Sequence, residues 1–557
     1  MLATAAEADA TLTATLENRG GVELVGTSAV LTLTGDYTQT SEGTLQIEVG
    51  PTASSMLLTD GQAGLDGALA VLPKGFQGTP VNQEFLQASG GRSGRFSEVS
   101  VSPLLVALVC YDDDLQCPTY LGSIVPPAPV PGLGAVSVQI VKVGNYVDVA
   151  TTRNQKAVAE AVDSMLAAGV DDPAITALYD LSTQASLDAA LDQLSPEPLG
   201  ATAQLAFENA RWYTASLSDH LRDARLGVQV AERSAANGGV LASLGGGSGS
   251  LLRFTPALAA PAPSSESTPE REVGVWRPRA MGYAVLSDLG SGGGNTGYEA
   301  VTGVLGLGTE RWVRRDLLVG AEISAAYTDL ESDRAGSNFD AVSGRLAVYG
   351  SYARGPWYVD LMASYAYHSY DATRRVRYGS GDTAVDAKAD SDHGAHEVSD
   401  YLGVGMNFRA AGWDFGPEAS VQYTALMEES YDEKSSAGGV SLDMRDRMED
   451  SLSSRVGVSV SRPWQIDENN VVLPRLRVAW AHEWLDTSQD LEARFQVSPV
   501  GAFEVDSRSL PRDSVVARAG LQAALAEGLV VEVDYGVDAG RGDYLSQQLS
   551  VIFSGVF

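Results

Sequence analysis

Of the 557 residues, 71 are acidic and 38 basic, so the formal charge is −33. That balance argues against nucleic acid as a partner, because nothing here could neutralise phosphates along a groove. No stretch approaches the roughly 18 consecutive apolar residues of a membrane-spanning helix, which excludes a helical membrane protein but not a barrel, whose strands are only half apolar.

The chain opens Met1-Leu2-Ala3-Thr4-Ala5-Ala6-Glu7, without the basic and long apolar regions of a secretory signal. If the chain is exported, the expectation is that its export signal lies upstream and that this sequence is a fragment. At roughly 150 residues per domain, the length suggests two to four domains. Residues 11 to 72 read as short strands between Gly, Asn and Asp turns: T-L-E-N-R-G-G-V-E-L, S-A-V-L-T-L-T-G-D-Y, G-T-L-Q-I-E-V-G and G-A-L-A-V-L. Such short pieces between regular turns suit the rung of a β-solenoid better than a sandwich, though both remain open. Irregular strands follow to about Val149, interrupted by P-P-A-P-V-P at 126–131. The two cysteines, Cys110 and Cys117, flank Y-D-D-D-L-Q. Thiols this close in an exported chain can close a small disulfide loop, and no histidine lies near them to complete a metal site. Asp112 to Asp114 lack the alternating carboxylates of a calcium loop, and Gly91-Arg92-Ser93-Gly94 lacks the spacing of a nucleophile elbow.

Composition switches near residue 150. Thr152 to Leu166 carries apolar residues at every third or fourth position, with Thr151 or Thr152 as cap. Asp172-Pro173 opens a second helix, and Ser182 or Thr183 caps a third ahead of S-P-E-P. A longer helix, Leu199 to Arg233, would run roughly 50 Å, enough to thread a barrel lumen or to pack on its neighbours. Residues 234–272, rich in Gly, Ser, Pro and Ala, are a linker with no core of their own.

From 273 to 557 the period becomes two. Twelve segments alternate, beginning near 274, 299, 316, 338, 356, 395, 413, 450, 471, 512, 528 and 543. One face is apolar, as in Leu317, Val319, Ile323 and Tyr327, or Leu476, Val478 and Trp480. The other carries charges: Glu322, Arg345, Asp360, Arg475, Arg477, Glu483, Arg518, Glu532 and Asp534. A dry two-sheet core would not tolerate those charges, so the polar face is read as a water-filled lumen and the apolar face as lipid-facing. On that reading Val478→Arg is costly and Arg477→Val mild. Tight turns at 313–316, 354–356, 410–412 and 527–528 alternate with long polar loops near 288–298, 374–394, 429–449 and 486–511. Trp312, Trp357, Trp413 and Trp464 fall beside the short turns and are expected to form one aromatic girdle. His393 and His396, in H-G-A-H-E, lack the spacing of a helical zinc site and are assigned to an outer loop as surface residues. The chain ends D-Y-L-S-Q-Q-L-S-V-I-F-S-G-V-F, an alternating strand that would be an aggregation-prone edge unless it closes a barrel.

Three stretches carry a family resemblance. Leu31 to Val49 is similar to the final passenger rungs of type Va autotransporters; N-Q-K-A-V-A and A-L-D-Q-L-S-P-E are similar to the helical segment between passenger and barrel; and the terminal strand, with Phe553 and Phe557, resembles the assembly signal of bacterial outer-membrane barrels. The resemblance implies a mainly β fold in four parts: a β-solenoid-like passenger end at 1–149, a helical segment at 150–233 whose last helix could be lumenal, the linker at 234–272, and a 12-stranded antiparallel transmembrane β-barrel at 273–557. It implies a non-enzymatic translocator of the bacterial outer membrane, a monomeric barrel without cofactor or metal. Its N-terminal part would lie at the cell surface, and its partners would be membrane lipid, the barrel-assembly machinery and periplasmic chaperones. Some relatives cut themselves at paired asparagines in the lumenal helix; Asn209 stands in F-E-N-A and lacks the pair. Two other readings stay open on sequence alone. One is a passenger hydrolase, for which residues 1–150 offer no Ser/His/Asp set. The other is a stand-alone porin- or adhesin-like barrel with a periplasmic N-terminal domain.

Overall fold

The computed structural model describes residues 2–4, 9–118, 130–236, 273–292, 295–334, 336–380, 384–436, 438–465, 471–524 and 529–555. The expectations for Phe557, for the 234–272 linker beyond Ala236, and for the turn at 527–528 fall outside these residues.

The N-terminal strands stack as a β-solenoid. Three parallel sheets form its walls: Gly21–Leu24, Thr44–Val49, Ala68–Pro73 and Glu98–Ser100 in one, Ala10–Leu12, Val30–Leu33, Met56–Thr59 and Val81–Ala88 in the second, Leu16–Asn18, Tyr37–Gln39, Ala63–Leu65 and Arg92–Gly94 in the third. In-register pairing places like residues above one another, as in the buried columns Leu24–Ile47–Val71 and Leu31–Leu57–Leu86. The corners, where backbone groups lack ladder partners, are stitched by buried amides. Asn18 Nδ2 donates to Thr44 O at 2.9 Å, and Gln39 Nε2 to Asp66 O at 2.7 Å. An antiparallel hairpin, Leu105–Tyr111 with Ala135–Lys142, closes the stack, and Cys110 is disulfide-bonded to Cys117 just beyond its first strand.

Two helices follow, Arg153–Ala167 capped by Thr152 and Gln184–Leu194 capped by Thr183, each through a capping box. Between them, Asp172-Pro173 starts a single turn, Pro173–Thr176, that tightens at once into a 3₁₀ turn.

Twelve strands then form the barrel: Arg277–Leu289, Tyr298–Arg314, Leu317–Ser332, Asn338–Arg354, Trp357–Tyr378, Val385–Met406, Trp413–Glu428, Arg447–Ser461, Val471–Glu483, Asp513–Ala524, Leu529–Arg541 and Tyr544–Gly555. Each pairs antiparallel with the next, and the twelfth returns to the first, with Leu545 opposite Asp288 and Phe553 opposite Ala280. Closure leaves no open edge. Val301, Leu305, Ile323, Leu361, Val458, Leu476 and Phe553 are among the exposed apolar residues that cover the outside.

The structure makes four corrections to the sequence reading. The sixth strand begins at Val385 rather than 395, and most of the expected loop at 374–394 is strand, with Arg374 opposite Ala389 and Tyr378 opposite Val385. In this extension the inside is mostly apolar (Val376, Ala387 and Ala389 are buried, beside an Arg374 paired with Glu433) and the outside charged, with Arg375 and Arg377 both on Asp386. That inverts the sense of the alternation, and the inversion marks where the apolar belt stops. His393 and His396 therefore lie on the sixth strand. The His393 side chain is buried, 3.2 Å from Glu428, and stacks on Tyr431 with ring centroids 3.8 Å apart, while His396 stands outside against Tyr365. The expected loops at 429–449 and 486–511 contribute Tyr431–Asp432, Leu442–Met444, Asp490–Phe495 and Ala502–Asp506 to a four-stranded sheet over the barrel mouth. Finally, Trp312 is 1% exposed and points inward; Trp276, 51% exposed, takes its place on the rim beside Trp357, Trp413 and Trp464.

The helices Arg153–Ala167 and Gln184–Leu194 pack between solenoid and mouth. One hydrophobic core runs from Val22 of the solenoid through Val158 and Leu191 to Phe495 and Tyr544 at the long-loop end of the barrel.

Candidate functional site in the barrel lumen

The lumen is filled by one helix, Ala201–Ala236. The helix has 36 residues, of which 29 thread the barrel, about 44 Å at ~1.5 Å per residue. Ala203, Ala206, Ala210 and Ala215 are buried, and such small side chains let the backbone run close to the wall. Trp212 is the largest side chain on the helix. Its Nε1 donates to Ser546 Oγ at 2.8 Å, and Gly536 makes room for the ring, since a Cβ there would lie 2.7 Å from Trp212 Cζ3.

The helix enters at the long-loop end. There Arg447 Nη2 donates to Thr202 Oγ1 at 2.6 Å and to Glu428 Oε2 at 2.8 Å. Just above, Arg334 reaches Thr296 Oγ1 (2.8 Å) and lies 3.5 Å from Glu197. Burial pushes the Glu197 carboxyl up from its ordinary 4.5 in spite of that neighbour, and burial likewise lowers Arg334. In the middle, Ser287 Oγ donates to Glu208 (2.8 Å) and Thr214 Oγ1 to Gln422 Oε1 (2.7 Å).

Toward the short-turn end the contacts become ionic. Asp219 and Asp223, four residues apart and so on one helix face, meet a basic wall. Asp219 lies 2.9 Å from Arg477 and 2.6 Å from Arg518, and Asp223 is paired with Arg475. Other directions are acidic: His220 Nε2 lies 3.0 Å from Glu310, and Arg225 lies 2.5 Å from Asp360 and 3.8 Å over the Tyr358 ring. The helix thus offers anions to the basic wall and cations to the acidic one. Such buried pairs are weak evidence for net stability, but each is costly to break singly, so together they fix the rotation and depth of the helix.

All nine charges read as lumenal from the sequence point inward. Asp360, Arg475, Arg477, Glu483, Arg518 and Glu532 face the helix, Glu483 at 3.8 Å from Arg211 and Glu532 at 3.8 Å from His220. Glu322, Arg345 and Asp534 pair within the wall, with Arg279, Glu397 and Arg475. The expected water-filled lumen is instead filled by protein, leaving a small cavity lined by Ser218, Tyr401, Glu418, Arg455, Arg477 and Arg518. Arg477 bonds Glu418 as well as Asp219, so Arg477→Val is now expected to be costly. Of the helix arginines, Arg222 donates to Ser461 Oγ at 3.3 Å. Asn209 Nδ2 donates to Thr302 Oγ1 at 3.4 Å. The reading missed Asp219, Asp223 and His220 on the helix and Glu310 and Glu418 on the wall. The 219/223 spacing and the inward parity of 310 and 418 were the signals available.

The Autotransporter beta-domain family matches residues 280–536. An extracellular serine protease of Serratia marcescens is 26% identical over 263 residues, which is 45% of this chain and 24% of that protein. The chain thus spans about a quarter of that relative's length. Among solved structures, the translocator domain of the autotransporter NalP from Neisseria meningitidis gives a TM-score of 0.40 at 15% identity, covering 51% of this chain and 88% of that one. The β domain of the Bordetella autotransporter BrkA gives 0.37 at 17% identity, covering 51% and 99%.

Proposed function

We propose, from the match of residues 280–536 to the Autotransporter beta-domain family, that the chain is an outer-membrane translocator that carries the residues ahead of its lumenal helix to the cell surface and anchors them there. The path of the chain supports this reading. The solenoid and the two helices after it pack on the long-loop end, the next helix descends the lumen, and the first barrel strand starts at the short-turn end. A chain so threaded has crossed the barrel once. In outer-membrane barrels long loops face outward and short turns face the periplasm. Assembly of the strands by the barrel-assembly machinery, after escort by periplasmic chaperones, follows from the same reading.

The surface part is a displayed solenoid rather than an enzyme on this proposal: no histidine precedes His220, so residues 1–150 lack one member of a Ser/His/Asp set. Protease treatment of intact cells tests the export. Loss of the solenoid with survival of a protected barrel is expected. Protection of the solenoid until the outer membrane is opened would favour a porin-like barrel with a periplasmic domain.

A further inference from the structure

We propose that the short-turn rim binds the phosphate groups of anionic phospholipids at three sites, each built from one arginine and one tryptophan on the lipid-facing side. Trp276, just ahead of the first strand, carries the Arg311 guanidinium over its ring, 4.7 Å from the centroid. Arg354 and Trp357 are register partners at the fourth-to-fifth hairpin, with Trp357 60% exposed. Trp413, 41% exposed at the start of the seventh strand, lies under the Arg462 guanidinium at 5.2 Å. The arginines continue the parity of the exposed apolar belt: Arg311 follows Leu305 and Leu307, Arg354 follows Leu346 and Val348, and Arg462, one residue past the eighth strand, follows Val456 and Val458.

An indole rests at headgroup depth, apolar body inward and polar edge toward water. A guanidinium laid on its face is held at that depth, and its fork of N–H donors matches phosphate oxygens. The carboxylates described at this rim are engaged elsewhere, Asp316 at 3.1 Å from Arg314 and Asp414 at 2.7 Å from Arg409.

The opposite rim is built differently. Trp480 and Trp484 donate their indole N–H groups to Asp513 (2.9 Å) and Ser454 (3.0 Å), and among the described residues no guanidinium lies over either ring. The two rims therefore present different chemistry to the two leaflets. The occupant is a phospholipid rather than free phosphate, because the exposed indoles and the apolar belt beside them need acyl chains to cover them. The inference rests on the lipid-facing assignment of the barrel's outside proposed above.

The test uses the full chain, reconstituted in vesicles of phosphatidylglycerol and phosphatidylcholine and then extracted into detergent, with retained lipid counted by native mass spectrometry. The natural protein should retain phosphatidylglycerol in preference. Arg311→Gln, Arg354→Gln and Arg462→Gln should each lower that retention about fivefold, the effect of one arginine at an anionic surface. Arg375→Gln, Arg377→Gln and Arg494→Gln, on the long-loop end, should leave it unchanged. Equal retention in the rim variants, or displacement of the lipid by inorganic phosphate, would overturn the proposal. Migration on unboiled gels reports barrel assembly separately: assembled variants with undiminished retention sink the sites, whereas failure of the natural protein to enter vesicles sinks the membrane reading.

Discussion

Arg225 Nη1 lies 2.5 Å from Asp360 Oδ1, joining the lumenal helix to the fifth strand across 135 positions of sequence, with Ser351 Oγ 2.7 Å from the same nitrogen. Both charges are buried, so removing one strands the other. Asp360→Leu should lower stability by about 3–5 kcal/mol, and Arg225→Met with Asp360→Leu should recover most of the loss. Thermal melting of the assembled barrel reads the cycle; a double variant as unstable as the single would mean that the pair is not coupled.

The two sides of the ninth strand give a second prediction. Val478→Arg places a charge on the lipid face at a cost of about 2–4 kcal/mol. Its neighbour Arg477→Val should cost about 3–5 kcal/mol, because Glu418 and Asp219 lose their cation. Both should reduce the assembled fraction on unboiled gels. Tolerance of Arg477→Val alone would indicate a hydrated lumen.

The third concerns closure. A chain beginning at Glu272 should conduct ions in planar bilayers markedly better than one beginning at Leu199, since only the latter brings the helix that fills the lumen. Identical conductance would place the seal in the loops.

The fourth concerns the turn between Ala410 and Trp413. Ala411 (φ 51°) and Gly412 (φ 80°) both take positive φ, as a type I′ hairpin turn requires. An alanine there is strained by about 1–2 kcal/mol. Ala411→Asn should therefore raise stability by about 1 kcal/mol, and the same change at Ala410 should not. A melting temperature unmoved by Ala411→Asn would show the strain to be absent.

Where one environment lies on each side of a strand, parity alone reports the burial, and the belt residues Leu305, Ile323 and Val478 were readable for that reason. The same parity misled at 374–394, because outside the apolar belt the sense of inside and outside reverses while the period stays two. It misled at Trp312 too, where position beside a turn suggested a girdle but the even number on that strand put the ring inside. The lumenal charges were legible as inward-facing. Their partners were not, because pairing Asp219 with Arg477 needs the rotation of the helix about its axis, which sequence spacing does not supply. The solenoid rungs were legible as short strands; their stacking order comes from parallel register between residues more than 20 positions apart, such as Thr44 and Ala68.

The continuity of the core from solenoid to barrel mouth has a mechanical meaning. A pull on the solenoid does not load a flexible tether first. It is shared at once by the helices at the mouth and by the lumenal helix, whose clasps lie one below another along the axis of pull. Loaded in that direction, Thr202, Thr214, Asp219 and Arg225 resist in shear, many together, rather than peeling one at a time. The barrel wall and the solenoid rungs thus behave as one stiff mast, and its root is the ion-paired turn of helix at the short-turn end.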